Sequence, residues 1–142
     1  MPLKQLSVFI ENRPGSIAEV ARLLRDNSID MRALSLADAR DYGILRIIVN
    51  DVYKSSTVFK NSGFIFKITP VVGVPLKDSA GGLADALDIL GAAEINIEYL
   101  YAFTGKQESK AYVIFRFPDK DIERASRILA ENGYSPITEE EL

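Results

Sequence analysis

The feature that most limits how this chain can fold is that it repeats itself. Shifted by 66 residues, Gly15 falls on Gly81, Ala18 on Ala84, Leu24 on Leu90, Ile29 on Ile95 and Leu34 on Leu100, all identities. Under the same shift Asn12 meets Asp78 and Asp30 meets Asn96. Past a hairpin signal the shift is 68, pairing Leu45 with Val113, Ile47 with Phe115, Val49 with Phe117 and Asp51 with Asp119. Farther on it is 70, pairing Gly63 with Gly133 and Phe64 with Tyr134. The register slips where loops belong, because loops absorb insertions. Two unrelated amphipathic patterns could share apolar positions, but they would less readily share the glycines, the capping Asp and the Asp30/Asn96 pair. Whatever folds the first half must therefore fold the second.

The elements of one half follow from periodicity. Residues 3–10 partly alternate (Leu6, Val8, Ile10) and read as a strand, and residues 16–27 place Ile17, Val20, Ala21 and Leu24 at helical spacing. Residues 29–38 read as extended, Asp41-Tyr42-Gly43 as a turn, and residues 44–49 as a β-prone run that closes a hairpin. Asp51 is placed to cap a second helix through about Asn61, with Gly63 as its C′ residue. Residues 64–76 are β-rich, and Pro70, which lacks a ladder donor, predicts a bend, an edge or a break. Each half then reads β-α-β-β-α-β. The fold class is α+β: two ferredoxin-like modules in tandem, 1–69 and 70–142, each an antiparallel sheet with helices on one face. A sheet with one face bare invites association by sheet extension or stacking, so a homodimer is expected.

The candidate site is the stretch Glu11-Asn12-Arg13-Pro14-Gly15 with the helix after it. Pro and Gly make a tight turn, and Ser16 or Asn12 can cap the helix start, where the dipole favours an anion. Such a unit can seat a carboxylate or phosphate; it is also an ordinary strand–helix connection. Asn12 and Asp78 read equally as turn or cap residues, Arg13 as an exposed loop charge, and Tyr99 and Tyr101 as packing residues on one strand face. The 38–41 cluster reads as a solvated hairpin tip and Glu139–Glu141 as a frayed tail.

Composition removes several kinds of chemistry. With neither cysteine nor histidine, disulfides, thiolate catalysis and the usual general base are excluded, and so is the commonest metal ligand. The carboxylates form no spaced cluster, Ser-x-x-Lys and Gly-x-Ser-x-Gly are missing, and Gly81-Gly82 lacks the lysine of a phosphate loop. No enzyme activity and no cofactor are expected. A net charge of -3 argues against nucleic acid, and the aromatic strand 111–117 lacks the basic signature an RNA-binding sheet needs. No stretch approaches the roughly 20 apolar residues of a membrane span. No long apolar run follows Lys4 as in a signal peptide, so a soluble cytoplasmic protein is expected.

Asn12-Arg13-Pro14-Gly15 after a strand, then a helix, then Ile29-Asp30-Met31, resembles the ACT domain. So does the second half, with Gly81-Gly82-Leu83 and Ile95-Asn96-Ile97. The whole is similar to stand-alone tandem ACT proteins of amino-acid metabolism. The second copy departs from the pattern, with Asp78-Ser79-Ala80 in place of Asn-x-Pro, so its loop is expected to bind differently or not at all. The resemblance implies a regulatory module that holds a free amino acid between paired ACT units, the loop of one facing the second strand of its partner. Carried over by position, the loop residues are Asn12, Arg13, Pro14, Gly15, Ser16 and Ile17, with Asp78, Gly81, Gly82 and Leu83 in the other copy. The strand residues are Asp30 and Met31, and Asn96 and Ile97. An alternative is a regulatory subunit of a biosynthetic enzyme, such as acetolactate synthase, which becomes a further partner.

Overall fold

The computed structural model describes residues 2–77, 79–104 and 110–141. They fall into two compact units, Lys4–Thr69 and Pro70–Leu142 with Met1–Leu3.

The first unit runs β1 (Leu3–Glu11), α1 (Ser16–Asp26), β2 (Met31–Ala39), β3 (Tyr42–Val49), α2 (Val52–Asn61) and the first leg of β4 (Ile65–Lys77). The strand order is β2-β3-β1-β4, with β3 antiparallel to both β1 and β2. Alternation along the strands sends Leu6, Val8 and Ile10 of β1, and Leu45, Ile47 and Val49 of β3, to one face. Helical spacing sends Val20 and Leu24 of α1, and Val52 and Phe59 of α2, onto that face. Each such side chain stabilises the fold by about 1.5–3 kcal/mol on burial. Phe59 is fully buried and meets Phe64 edge-on, with ring centroids 5.7 Å apart. The bounds of α2 are those the sequence predicts. Asp51 accepts a hydrogen bond from the Lys54 amide at 3.0 Å, and Gly63 follows the helix at φ 79°.

The second unit comprises the rest of β4, α3 (Gly82–Ala92), β5 (Tyr99–Thr104), β6 (Lys110–Arg116) and α4 (Ile122–Glu131), with strand order β4-β6-β5. Its core repeats the first: Val72, Val74, Leu90, Val113, Phe115, Phe117 and Leu129. The duplication reaches the backbone. Left-handed conformations recur at Gly15 and Gly81 (φ 88° and 90°), at Ser28 and Glu94 (55° and 56°), and at Gly63 and Gly133 (79° and 88°). Ser28 and Glu94 share a conformation unfavourable to both side chains, as two copies of one backbone should.

Several local expectations give way. Of the bend, edge or break expected at Pro70 the break is not found: β4 runs through it, and Pro70 lies outside the β6 ladder, which begins at Val72. The hairpin turns at Arg40-Asp41, and Tyr42 and Gly43 belong to β3. At Gly43 a Cβ would lie 3.3 Å from Leu36 Cδ1 and 3.4 Å from the Ala37 carbonyl, a close fit that a small shift of the Leu36 side chain would relieve. Asp119 does not cap α4. It sits in a short 3-10 turn and accepts from Arg116 Nη1 at 2.9 Å. The second unit also lacks a closing strand of its own. Residues 134–138 carry no strand, and the Ile137 amide donates to the Gly73 carbonyl at 2.8 Å beside Pro136, which has no donor. Among the described residues no helix is long and apolar enough to cross a membrane.

Candidate functional site

The β1–α1 loop is built by its own backbone. The Arg13 amide donates to the Glu11 carbonyl (3.0 Å), the Ser16 amide to the Arg13 carbonyl (3.3 Å), and the Glu19 amide to the Gly15 carbonyl (3.0 Å). The second unit repeats all three: Ser79 to Lys77 (2.8 Å), Gly82 to Ser79 (3.2 Å) and Asp85 to Gly81 (3.1 Å). Each helix starts on a left-handed glycine with no side-chain cap, so its first-turn amides face outward at the positive end of the dipole.

Asn12 acts as a staple. Its Nδ2 donates to the Arg40 carbonyl at 2.8 Å and its backbone amide to the Asp41 carbonyl at 3.0 Å, tying the loop to the β2–β3 turn. Arg13 lies between two carboxylates, with Nε 2.6 Å from Glu11 Oε2 and Nη2 3.8 Å from Glu19 Oε2. Pro14 and Gly15 are exposed at the tip. Ser16 does not cap α1. It is only 5% exposed, and its hydroxyl has no hydrogen-bond partner among the described residues. A buried hydroxyl left without a partner costs about 1–3 kcal/mol.

Ser16 lines a cleft on each side of the loop. One, of about 400 Å³, is walled by Phe9, Tyr42 and Phe64 and carries Glu11, Arg13 and Glu19 at its rim. The other, of about 80 Å³, lies toward Leu36 and Gly43 and includes Asn12 and Ile17. The larger cleft recurs in the second unit at about 290 Å³, with Lys77, Ser79, Gly82, Asp85 and Tyr134 in the corresponding places. Ile17 and Met31 come together along a third, wholly apolar groove with Ala18, Ala21 and Leu34.

Asp30 is elsewhere. Glu11 opposes Tyr42 and Met31 opposes Val49, seven residues further along β3 (42 to 49), which is roughly 23 Å. There the Asp30 amide donates to Asn50 Oδ1 (3.0 Å) and its carboxylate meets Arg32 Nη1 (3.1 Å). In the second unit Asn96 and Ile97 precede β5, Asn96 exposed and Ile97 packed on the core. Leu83 also packs on that core. Gly81 starts α3, and Asp78 lies outside the described residues. Sequence reasoning missed Phe9, Tyr42 and Phe64, which reach the cleft through strand register and the turn after α2. It placed Glu11 in the candidate stretch and Glu19 in the helix after it without giving either carboxylate a role; the i, i+3 spacing of Ser16 and Glu19 was the available signal. No group of three or more metal-ligating residue types is assembled among the described residues.

Two ferredoxin-like units, each with a glycine-started helix beside its first strand, define a tandem of small α+β modules. The chain belongs to the ACT domain pair family, whose model matches residues 1–142. A crystal structure of a Bacteroides thetaiotaomicron protein is 36% identical, with a TM-score of 0.87 over 96% of this chain and 92% of that one. The regulatory subunit of aspartate kinase from Thermus thermophilus superposes with a TM-score of 0.68 at 16% identity, covering 94% of each chain. That from Thermus flavus gives 0.64 at 16%, covering 92% of each. At 16% the likeness is one of fold. No curated protein matches the chain significantly.

Proposed function

We propose that this protein is a regulatory sensor of a free amino acid, built from two ACT modules (1–69 and 70–142), and is not itself a catalyst. The observation that carries the reading is the α1 seat. A helix start and Arg13 offer positive ends, Glu11 and Glu19 offer negative ones, and all share one cleft of about 400 Å³. A zwitterion has the matching pair of charges: its carboxylate suits the helix amides, and its ammonium suits the two carboxylates. The family's regulatory role supports the reading. Within one module Asn12 and Asp30 are too far apart to touch one amino acid. A ligand contacting both therefore lies between ACT units, with a second unit closing over the loop.

That second unit is supplied in the proposal by a cytoplasmic homodimer. β2 ends its sheet, and Leu34 and Leu36 on it are 52% and 51% exposed, an apolar strip on an edge strand that a partner would cover. The same strip supports a second reading, a regulatory subunit docked on an amino-acid biosynthetic enzyme such as acetolactate synthase. Thermal melting with each of the twenty amino acids in large excess tests the first reading. One or two clear stabilisers establish it, and none sinks it in favour of the second.

A further inference from the structure

The edge strand β2 carries a sequence that is nearly its own mirror image. Arg32-Ala33-Leu34-Ser35-Leu36-Ala37-Asp38 reads the same from either end about Ser35, except that the charge changes sign. Two residues farther out, Asp30 and Arg40 are again opposite in sign. Two antiparallel copies related by a two-fold axis at Ser35 therefore set leucine against leucine, alanine against alanine and each charge against its opposite. Moving the axis to Leu34 sets Asp30 against Asp38, and moving it to Leu36 sets Arg32 against Arg40. An edge guarded against pairing would carry one sign of charge; this one carries both, matched. The structure lays the residues out as the pattern needs. Leu34, Leu36 and Asp38 oppose Ile47, Leu45 and Gly43 of β3, so the three share the face on which α1 packs. Asp38 is exposed, with no ion pair among the described residues. The ladder with β3 slips by one residue between Met31 and Ala33, so Arg32 is the extra residue of a bulge, where pairing ends. Its guanidinium meets Asp30 at 3.1 Å and stays partly exposed, and its five N–H donors suffice for a second carboxylate. Beside Leu34 lies the apolar groove of about 280 Å³, with Ile17, Ala21 and Met31 in its walls. In the second module Leu87 stands in place of Ala21 and packs on the core. The counterpart edge β5 has no such palindrome, and Glu98, the one charge in 98–104, is held by Arg116 at 3.2 Å.

We infer that two copies of this chain join β2 to β2 in antiparallel register, with a two-fold axis at Ser35 and each Arg32 paired with Asp38 of the partner subunit. Leu36 of the partner subunit then packs on Leu34, over the mouth of the apolar groove. The axis stands perpendicular to the sheet, so both copies of α1 lie on one face of a continuous sheet. Such a contact is isologous and closes on itself, ending at two chains instead of growing a fibre from free edges. This rests on the proposed homodimer and adds the edge, the register and the charge pairs that select it.

The test uses the full chain, which has no cysteine, so single cysteines report the register directly. At the axis Ser35 faces its own copy with Cα atoms about 4.5–5.5 Å apart, a span that a disulfide bridges. Ser35→Cys should form a covalent dimer under mild oxidation, whereas Ala102→Cys on the edge β5 should not. By sedimentation, Asp38→Arg and Arg32→Asp should each weaken dimerisation by about tenfold or more. An equimolar mixture of these two variants should restore it, because each altered charge then meets its opposite, and misfolded chains would show no such rescue. A dimeric parent whose Ser35→Cys variant does not cross-link, or a mixture no more dimeric than its components, overturns the inference and leaves the homodimer standing. A monomeric parent overturns the homodimer, and this inference with it, and leaves the strip to an enzyme partner. Neither outcome touches amino-acid sensing, which thermal melting decides.

Discussion

At the scale of single residues, glycines at two ends of one helix make opposite predictions. Gly82 opens α3 with backbone at 2.7 Å from where a Cβ would stand, and a carbonyl cannot yield as a flexible side chain can. Gly82→Ala should therefore cost about 1–3 kcal/mol. Gly91, near the other end of α3, has nothing within 4 Å of its would-be Cβ and no positive φ. Gly91→Ala should gain about 0.5–1 kcal/mol through helix propensity. Urea denaturation of the two variants beside the parent checks both signs at once. The sequence marked Gly82 as a site residue and Gly43 as part of a turn; in each the residue type was informative and the reason was hidden. Gly82 lets backbone approach to 2.7 Å of a would-be Cβ and Gly43 sits in a strand at close contact distances, and such distances are properties of the assembled fold. Asn12 shows the same limit. Its place in the loop was legible, but its bond to the Arg40 carbonyl spans a sequence separation of 28 that no local pattern encodes.

Among the elements, α2 was read most closely, since its start and stop are local chemistry: a capping aspartate and a left-handed glycine. Asp51→Ala should remove the bond to the Lys54 amide and cost about 1 kcal/mol. Phe59→Ala should cost about 3–5 kcal/mol, because the ring is fully buried against Phe64 and Phe66. Thermal melting should rank the two in that order, and a reversed order would mean that α2 is held by its cap more than by its packing. At Pro70 the expected edge is what β4 offers, since its ladder with β6 starts only at Val72, and the strand does not break there. The start of β5 was set too early for a related reason. Residues 95–97 have the alternation of a strand, yet the ladder with β6 begins at Tyr99. Pattern reports which residues can pair, and the partner decides which do.

For the molecule as a whole, the duplication was the most legible feature, because it is written in glycines and small polar residues at fixed spacing among the apolar positions. The site was legible as a loop but not as a cleft, since Phe9, Tyr42 and Phe64 arrive from three separate segments. The proposed dimer makes its prediction here. Leu34→Lys on the exposed strip of β2 should shift the sedimentation profile toward monomer without lowering the intrinsic stability of the fold. An unchanged profile would place any self-association on another face. Bound amino acid should add roughly 2.7 kcal/mol at about 100 times its Kd.

The compact unit holding most of the C-terminal half also takes in the chain's opening residues, and Leu3 is 1% exposed there, with Cδ1 3.0 Å from where a Gly73 Cβ would sit. During synthesis Leu3 is made well before Gly73, beside which it packs. Until that part of β4 has followed, the Leu3 side chain lacks this cover. The two halves are therefore not separable by a cut at their sequence boundary: a fragment beginning at Pro70 would lack Leu3. A fusion partner placed ahead of Leu3 would crowd its packing against Gly73.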